Sequence, residues 1–430
     1  MQKMGSIARA NRRAAAGEQH EGSSVTSASR ADLYARYRQV VKDKPLPLAM
    51  VDLDALDRNI VSLLADARRM GKHLRIASKS VRCIHLIRYI MERGEGTVRG
   101  IMSYSVREGA FLIAQGFDDI LVAYPTAQPS DADILAEANL GSATLAIVVD
   151  SQVHLERLNT AGEKAGSRIP VVIEIDMSWR PLGGNMHLGV RRSPLRKPES
   201  LVALALKVAD YKGLRFHGVM GYEAQIAGLG DDNPFTKLLN PLKRFIRTRS
   251  RPHVEKTRRR IDEMLRARGL PPALFNGGGT GSLNWCTRES ALTEVTAGSG
   301  FLASHLFDYY RDFKLEPAAY FALQVCRRSD PGLMTCHGGG YVASGESGLD
   351  RLPRPWLPGG LRLLGVEGVG EVQTPLVVPP GVDLDLGDPV FFRHTKAGEL
   401  AEHFNEYLLV RDDRIVDRVS TYRGMGQAFL

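Results

Sequence analysis

The chain has 430 residues, 43% hydrophobic and 24% charged, with a formal net charge of +9. That length exceeds the ~250–300 residues at which one hydrophobic core stops growing, so a large domain and a smaller companion are expected. No apolar run is long enough to span a bilayer, the four scattered cysteines (Cys83, Cys286, Cys326, Cys336) have no metal-site spacing, and no nucleic-acid module accompanies the positive charge.

Residues 1–30 lack any apolar period and are expected to form a mobile tail. The paired Arg12 and Arg13 are followed by "AAAGEQHEGSS", without the apolar segment of an export signal, so a cytoplasmic location is expected. "ADLYARYRQVV" reads as a short helix. "LPLAMVDLDAL" reads as a strand entering a helix capped by Asp52 or Asp54.

An alternation then begins. Short apolar runs lie at 73–78, 98–103, 119–124, 144–149, 170–176, 214–221, 273–276 and 292–298, most of them separated by stretches of helical spacing such as "VREGAFLIAQG" and "ESLVALALKVADYKG". Eight βα units can close into a (β/α)₈ barrel, expected over residues 45–304. The basic run "KRFIRTRSRPHVEKTRRR" (243–260) falls inside one helical stretch and reads as a solvated face, with no nucleic-acid or membrane partner expected. After residue ~305 helical periods fade and Gly/Pro turns multiply, which predicts a β domain over 305–430, joined by the strand near 46–51.

In such a barrel the chemistry sits at the C-terminal ends of the strands, with a phosphate site often made after strands seven and eight. Lys79 of "RIASKSVRC" directly follows the first expected strand. "NGGGTGS" (276–282) follows the seventh, and its glycines let backbone N–H groups approach an anion while Thr280 and Ser282 add hydroxyls. A lysine and a phosphate cradle on one barrel face imply pyridoxal 5'-phosphate: the amine condenses with the aldehyde as a Schiff base and the ring serves as an electron sink.

The ordered set "VDLDALDRNI", "ASKS", "GYEAQ" (221–225), "NGGGTGS" and "TEVTAGSGF" resembles the fold-type III pyridoxal-phosphate enzymes with alanine-racemase-like barrels. Within them it is similar to the branch of D-threonine aldolases and D-serine dehydratases. The resemblance implies that Lys79 carries the cofactor, that Gly278, Gly279, Thr280 and Ser282 hold its phosphate, and that Tyr222 lies beside it. It also implies a homodimer, and a PLP-dependent lyase that cleaves or dehydrates a β-hydroxy amino acid of D configuration.

Two positions depart from the family's pattern. His187 in "MHLGVRR" stands where an arginine is usual. The divalent metal of this branch is bound by a histidine followed two residues later by Asp or Cys, whereas here His394 is followed by Lys396. Two readings stand: the Lys396 ammonium replaces the metal beside the substrate hydroxyl, or Glu399 or His403 supplies the missing ligand from a local turn. His394 and Lys396 are the candidates for the hydroxyl-side chemistry. A racemase or epimerase is the alternative enzyme, with His337 or Tyr341 as second base; a non-catalytic cofactor carrier is the alternative from another class.

Overall fold

In the computed structural model, which describes residues 27–346 and 348–429, the chain forms two compact units, each discontinuous in sequence. One takes the chain up to Leu56, Gly230–Asn240 and Leu302–Val419; the other takes Asp57–Leu229, Pro241–Phe301 and the segment from Ser420 onward. The tail expected at 1–30 lies outside the described residues up to residue 26. Ser27–Arg30 already belong to α1 (Ser27–Val40).

After α1 come β1 (Leu48–Asp52) and α2 (Leu53–Arg69). Asp52 caps α2, its Oδ1 accepting the Ala55 N–H at 2.9 Å.

The eight expected barrel strands are present. They are β2 (His73–Ala77), β3 (Val98–Ser103), β4 (Asp119–Val122), β5 (Thr144–Val149), β6 (Ile169–Glu174), β7 (Leu214–Met220), β8 (Leu274–Gly277) and β9 (Glu294–Ala297). All neighbours are parallel, and β9 closes on β2. The connecting helices include α3 (Ile84–Arg93), α4 (Val106–Ala114), α5 (Pro129–Ala138), α6 (Gln152–Ala165) and α7 (Pro198–Lys207). Then follow the short α8 (Ala224–Ala227), the long α9 (Asn240–Ala267) and the short α10 (Leu283–Cys286) and α11 (Ser299–Leu302).

These strands are near-continuous apolar runs because both their faces are covered. Leu121, Ala146, Val148, Val172, Met220 and Leu274 form a packed cluster. A polar cluster accompanies it: buried Arg75 pairs with Glu294 and Asp119, and Asn276 donates to Glu294 and Thr296. The barrel interior is therefore filled, and ligand chemistry is left to the strand ends.

The other unit holds one nine-stranded sheet. Its strands are β1, β10 (Ala319–Asp330), β11 (Leu333–His337), β12 (Arg354–Leu357), β13 (Arg362–Leu363), β14 (Gln373–Val377), β15 (Pro389–Arg393), β16 (Glu406–Arg411) and β17 (Arg414–Ser420), with α12 (Ala397–Ala401) after β15. The main path runs β13-β14-β11-β10-β1-β16-β17, and β15 joins β10 to β12. The strand near 46–51 is thus β1, antiparallel to β10 and parallel to β16. The segment from Ser420, expected with the β domain, groups with the barrel instead because Tyr422 hydrogen-bonds to it through both backbone and side chain.

Candidate active site

Lys79 is exposed in a single 3₁₀ turn, Ser78–Ser80, at the C-terminal end of β2. The turn is held from several sides. Ser78 donates to the Met102 carbonyl at 3.0 Å, and the Arg82 Nε donates to the Lys79 carbonyl at 3.2 Å. The hydroxyls of Ser80 and Ser299 meet at 3.0 Å, tying the turn to the loop after β9. Gly298 permits this approach: a Cβ there would stand 2.9 Å from the Ala77 Cβ and carbonyl oxygen.

The loop after β8 lies on the same rim. The Gly300 N–H donates to the Thr280 hydroxyl at 3.2 Å, so the Lys79 turn and the glycine loop are joined through Ser299 and Gly300. Several donors of this loop make bonds within the protein. Gly278 N–H and the Ser282 hydroxyl donate to the Glu223 carboxylate at 3.2 and 2.5 Å, and Gly279 N–H donates to Ser282 Oγ at 3.1 Å. The buried backbone N–H groups of Thr280 and Gly281 donate to no acceptor among the described residues. Buried N–H groups are almost always paired, so these two are available to a further acceptor.

Beneath the loop is a buried charge network. Arg258 of α9 pairs with both Glu223 and Glu289 and donates to the Gly221 carbonyl at 2.5 Å. Burial pushes the Glu223 carboxyl up, but Arg258 and the hydrogen bonds from Ser282 and Cys286 outweigh it and hold the group below its ordinary range. Glu289, with fewer partners, is pushed up to about 7 by burial. Arg247, also on α9, donates to the Gly281 carbonyl at 3.0 Å.

The basic run was expected to be a solvated face, and for these two arginines that is corrected: Arg247 and Arg258 are 2% and 0% exposed. They share the buried stripe of Val254, Ile261 and Leu265, at helical spacing. That spacing was the sequence signal for residues the motif reading missed.

Tyr222 packs close to the glycine loop, with a Cβ built on Gly279 falling 3.2 Å from its ring. Burial pushes its phenol up to about 12. The Arg192 guanidinium sits 5.1 Å from the ring centre and 3.5 Å from the Glu174 carboxylate at the end of β6. His187 was the residue expected at the arginine's place; its ring nitrogens have no hydrogen-bond partner among the described residues, and Arg192, five residues on, brings a positive charge to Tyr222.

The remaining candidates belong to the other unit. His394 is 3% exposed; its Nδ1 donates to the Ala319 carbonyl at 3.2 Å, which leaves the Nε2 lone pair without a partner among the described residues. Burial and the adjacent Arg393 push its pKa down to about 3, so the ring is neutral. The Lys396 ammonium donates to the Ser344 carbonyl and hydroxyl at 2.8 and 2.7 Å. Glu399 binds the Ser344 N–H and hydroxyl, and His403 stacks on Tyr341 at 4.4 Å. Neither is grouped with His394 as a ligand, and among the described residues no three potential ligands come together. The donor set does not fit a divalent metal. His337 is exposed at the end of β11, and Tyr341 also packs on Phe321 and Phe404.

A family pattern described as "Alanine racemase, N-terminal domain" matches residues 51–302. The chain belongs to this family. The alanine-racemase-like barrel is shared on the branch of D-threonine aldolases and 3-hydroxyaspartate aldolases and dehydratases. A 3-hydroxy-D-aspartate aldolase of Paracoccus denitrificans (strain Pd 1222) is 24% identical over 311 residues, 70% of this chain and 74% of that one. A D-threo-3-hydroxyaspartate dehydratase of Delftia sp. (strain HT23) is 27% identical over 255 residues, 59% of this chain and 60% of that one. The crystal structure of a D-threonine aldolase from Filomicrobium marinum superimposes with a TM-score of 0.74 at 22% identity, covering 90% of this chain and 96% of that one.

The family implies pyridoxal 5'-phosphate, and the barrel rim fits it. A lysine, an aromatic ring and two backbone donors with no acceptor among the described residues lie on neighbouring loops. No helix among the described residues is long and apolar enough to cross a membrane.

Proposed function

We propose that this protein is a pyridoxal-phosphate-dependent lyase acting on a β-hydroxy amino acid of D configuration, by aldol cleavage or by dehydration with loss of ammonia. The observation that carries the reading is the hydrogen-bonded path from Ser80 through Ser299 and Gly300 to Thr280, which joins the Lys79 turn to the glycine loop. When bound, the cofactor supplies an electron sink for charge developing at the substrate α-carbon.

Lys79 is its attachment point. Thr280 and Gly281 present N–H groups to its phosphate, while Gly278, Gly279 and Ser282 shape that loop through Glu223. Tyr222 is a wall of the pocket, and Arg192 adds a positive charge beside it.

For the substrate hydroxyl, the resemblance proposes His394 and Lys396. The lone pair left at His394 Nε2 suits accepting a hydroxyl hydrogen bond, and its lowered pKa keeps it from carrying a positive charge of its own. Lys396, fixed by Ser344, supplies positive charge where relatives of this kind bind a metal. A homodimer is part of the proposal.

The test is a panel of β-hydroxy D- and L-amino acids, assayed for aldehyde, oxo acid and ammonia with and without chelator, alongside Lys79→Ala. Turnover of a D substrate that chelator leaves unchanged and K79A abolishes is expected. Chelator-sensitive turnover overturns the role of Lys396. Inversion without cleavage makes the protein a racemase, and a cofactor band inert to every substrate makes it a carrier. Sedimentation of the holoenzyme decides the dimer.

A further inference from the structure

The segment after β17 is bound to the turn that carries Lys79, and nothing in the proposed chemistry yet uses it. Tyr422 is 1% exposed and makes contact at two places. Its backbone N–H donates to the Arg82 carbonyl at 2.8 Å, and its hydroxyl donates to Glu108 Oε1 at 3.0 Å.

Both acceptors reach back to Lys79. Arg82 holds the Lys79 carbonyl through its Nε, and its own backbone is left-handed, with φ of 47°. For a non-glycine residue that conformation is strained and persists only where neighbours enforce it. The Arg82 guanidinium also sits 5.1 Å over the Tyr104 ring, whose own backbone N–H donates to Glu108 Oε2 at 2.9 Å. Glu108 is fully buried, and through the Tyr104 N–H it holds the residue whose ring Arg82 covers.

The segment itself is built to stay. Gln427 N–H returns to the Tyr422 carbonyl at 2.8 Å, and the rings of Phe111, Tyr422 and Phe429 pack edge to face or tilted at 5.4 to 5.6 Å. A segment needed only to cover apolar surface would not require a phenol aimed at a buried carboxyl.

We infer that Tyr422 is a positioning residue for Lys79, and that residues 421–429 form a clasp fixing the turn from which the amine projects. This rests on the reading of Lys79 as the cofactor's attachment point. Tyr422 touches no reacting atom; it acts through Arg82 and Glu108.

The test uses full-length apoprotein, wild type and Tyr422→Phe, which keeps the ring packing and removes the hydroxyl. The rate of pyridoxal 5'-phosphate attachment is followed by visible absorbance across pH 6–9, then fixed with borohydride and mapped by peptide mass. Wild type is expected to carry the label on Lys79. Y422F is expected to attach the cofactor roughly tenfold more slowly or more weakly, about the worth of one hydrogen bond to a buried carboxyl, with a shifted pH profile. A profile superimposable on wild type overturns the clasp. Hydrogen exchange of residues 78–83 without cofactor gives an independent measure: faster exchange in Y422F supports the clasp, and unchanged exchange overturns it. Glu108→Leu, which removes the acceptor, should reproduce the defect without adding to it in the double variant; full additivity overturns the shared path. Wild type unlabelled at Lys79 overturns the cofactor reading and this inference with it, whereas a labelled wild type with an indifferent Y422F overturns this inference alone.

Discussion

The hydroxyl of Ser80, one residue after Lys79, lies 3.0 Å from the hydroxyl of Ser299. It is a side-chain link between the loops that follow the first and last strands of the barrel, where the sheet closes on itself. Ser299→Ala removes it while leaving Gly300 bound to Thr280. One lost hydrogen bond of about 1 kcal/mol predicts cofactor binding several-fold weaker, with the thermal midpoint nearly unmoved, by absorbance titration and calorimetry. Equal affinity in S299A would mean that the link carries nothing to the site.

Gly298→Ala should be harsher. The new methyl would stand within 3.0 Å of Ala77 and Ser80, at least one contact being with backbone, so β2 and β9 must separate at their ends. Overpacking of this kind costs about 1–3 kcal/mol. Urea unfolding of apoprotein should show the loss, and a wild-type midpoint would refute the close approach.

Arg258→Met tests the network under the glycine loop. It leaves Glu223 and Glu289 buried without their cation, and breaking one side of a buried pair costs about 3–5 kcal/mol. Glu223 should then bind a proton and lose its hold on Gly278 and Ser282, so affinity for cofactor falls together with stability. The conservative Arg258→Lys should recover only part of either, because one ammonium cannot span both carboxylates and Gly221.

The buried Glu108 makes stability depend on pH. Burial raises its pKa from 4.5 to about 7, so the folded state holds a proton that the unfolded state has released. Its contribution is complete below about 4.5 and is lost as pH rises through about 7, a change of roughly 3 kcal/mol. Chemical unfolding of wild type and Glu108→Gln at several pH values should give stability differences that grow across that window in favour of the glutamine variant. Parallel curves would show that Glu108 is not protonated when folded.

Most of the barrel was legible because a strand covered on both faces must be a short apolar run, and a surface helix must show its period. "TLAIVV" and "VRGIMS" correspond residue for residue to β5 and β3. Local motifs single out Lys79 and Tyr222 as the residues to propose. What the motifs could not show was which donors are already spent. Gly278 and Ser282 donate to Glu223, more than fifty residues upstream, which no local motif announces. Arg247 and Arg258 were hidden by their company, because a run so rich in arginine reads as surface unless each residue is set against the helical period. Arg192, beside Tyr222, was missed because no motif marks it and the loop after β6 folds irregularly.

One feature of the β sheet bears on how the chain can be cut. β1 lies between β10 and β16, with Met50 opposite both Tyr320 and Leu408. A fragment beginning after Asp52 would contain every barrel strand, yet it would leave the other sheet split down its middle, with two unpaired edges open to neighbouring molecules. Expressing the β unit alone as Leu302–Val419 carries the same defect. The polypeptide is therefore indivisible at the boundary its composition suggests, and a vector that starts at Leu53 should yield aggregate where one that includes Leu48–Asp52 yields protein.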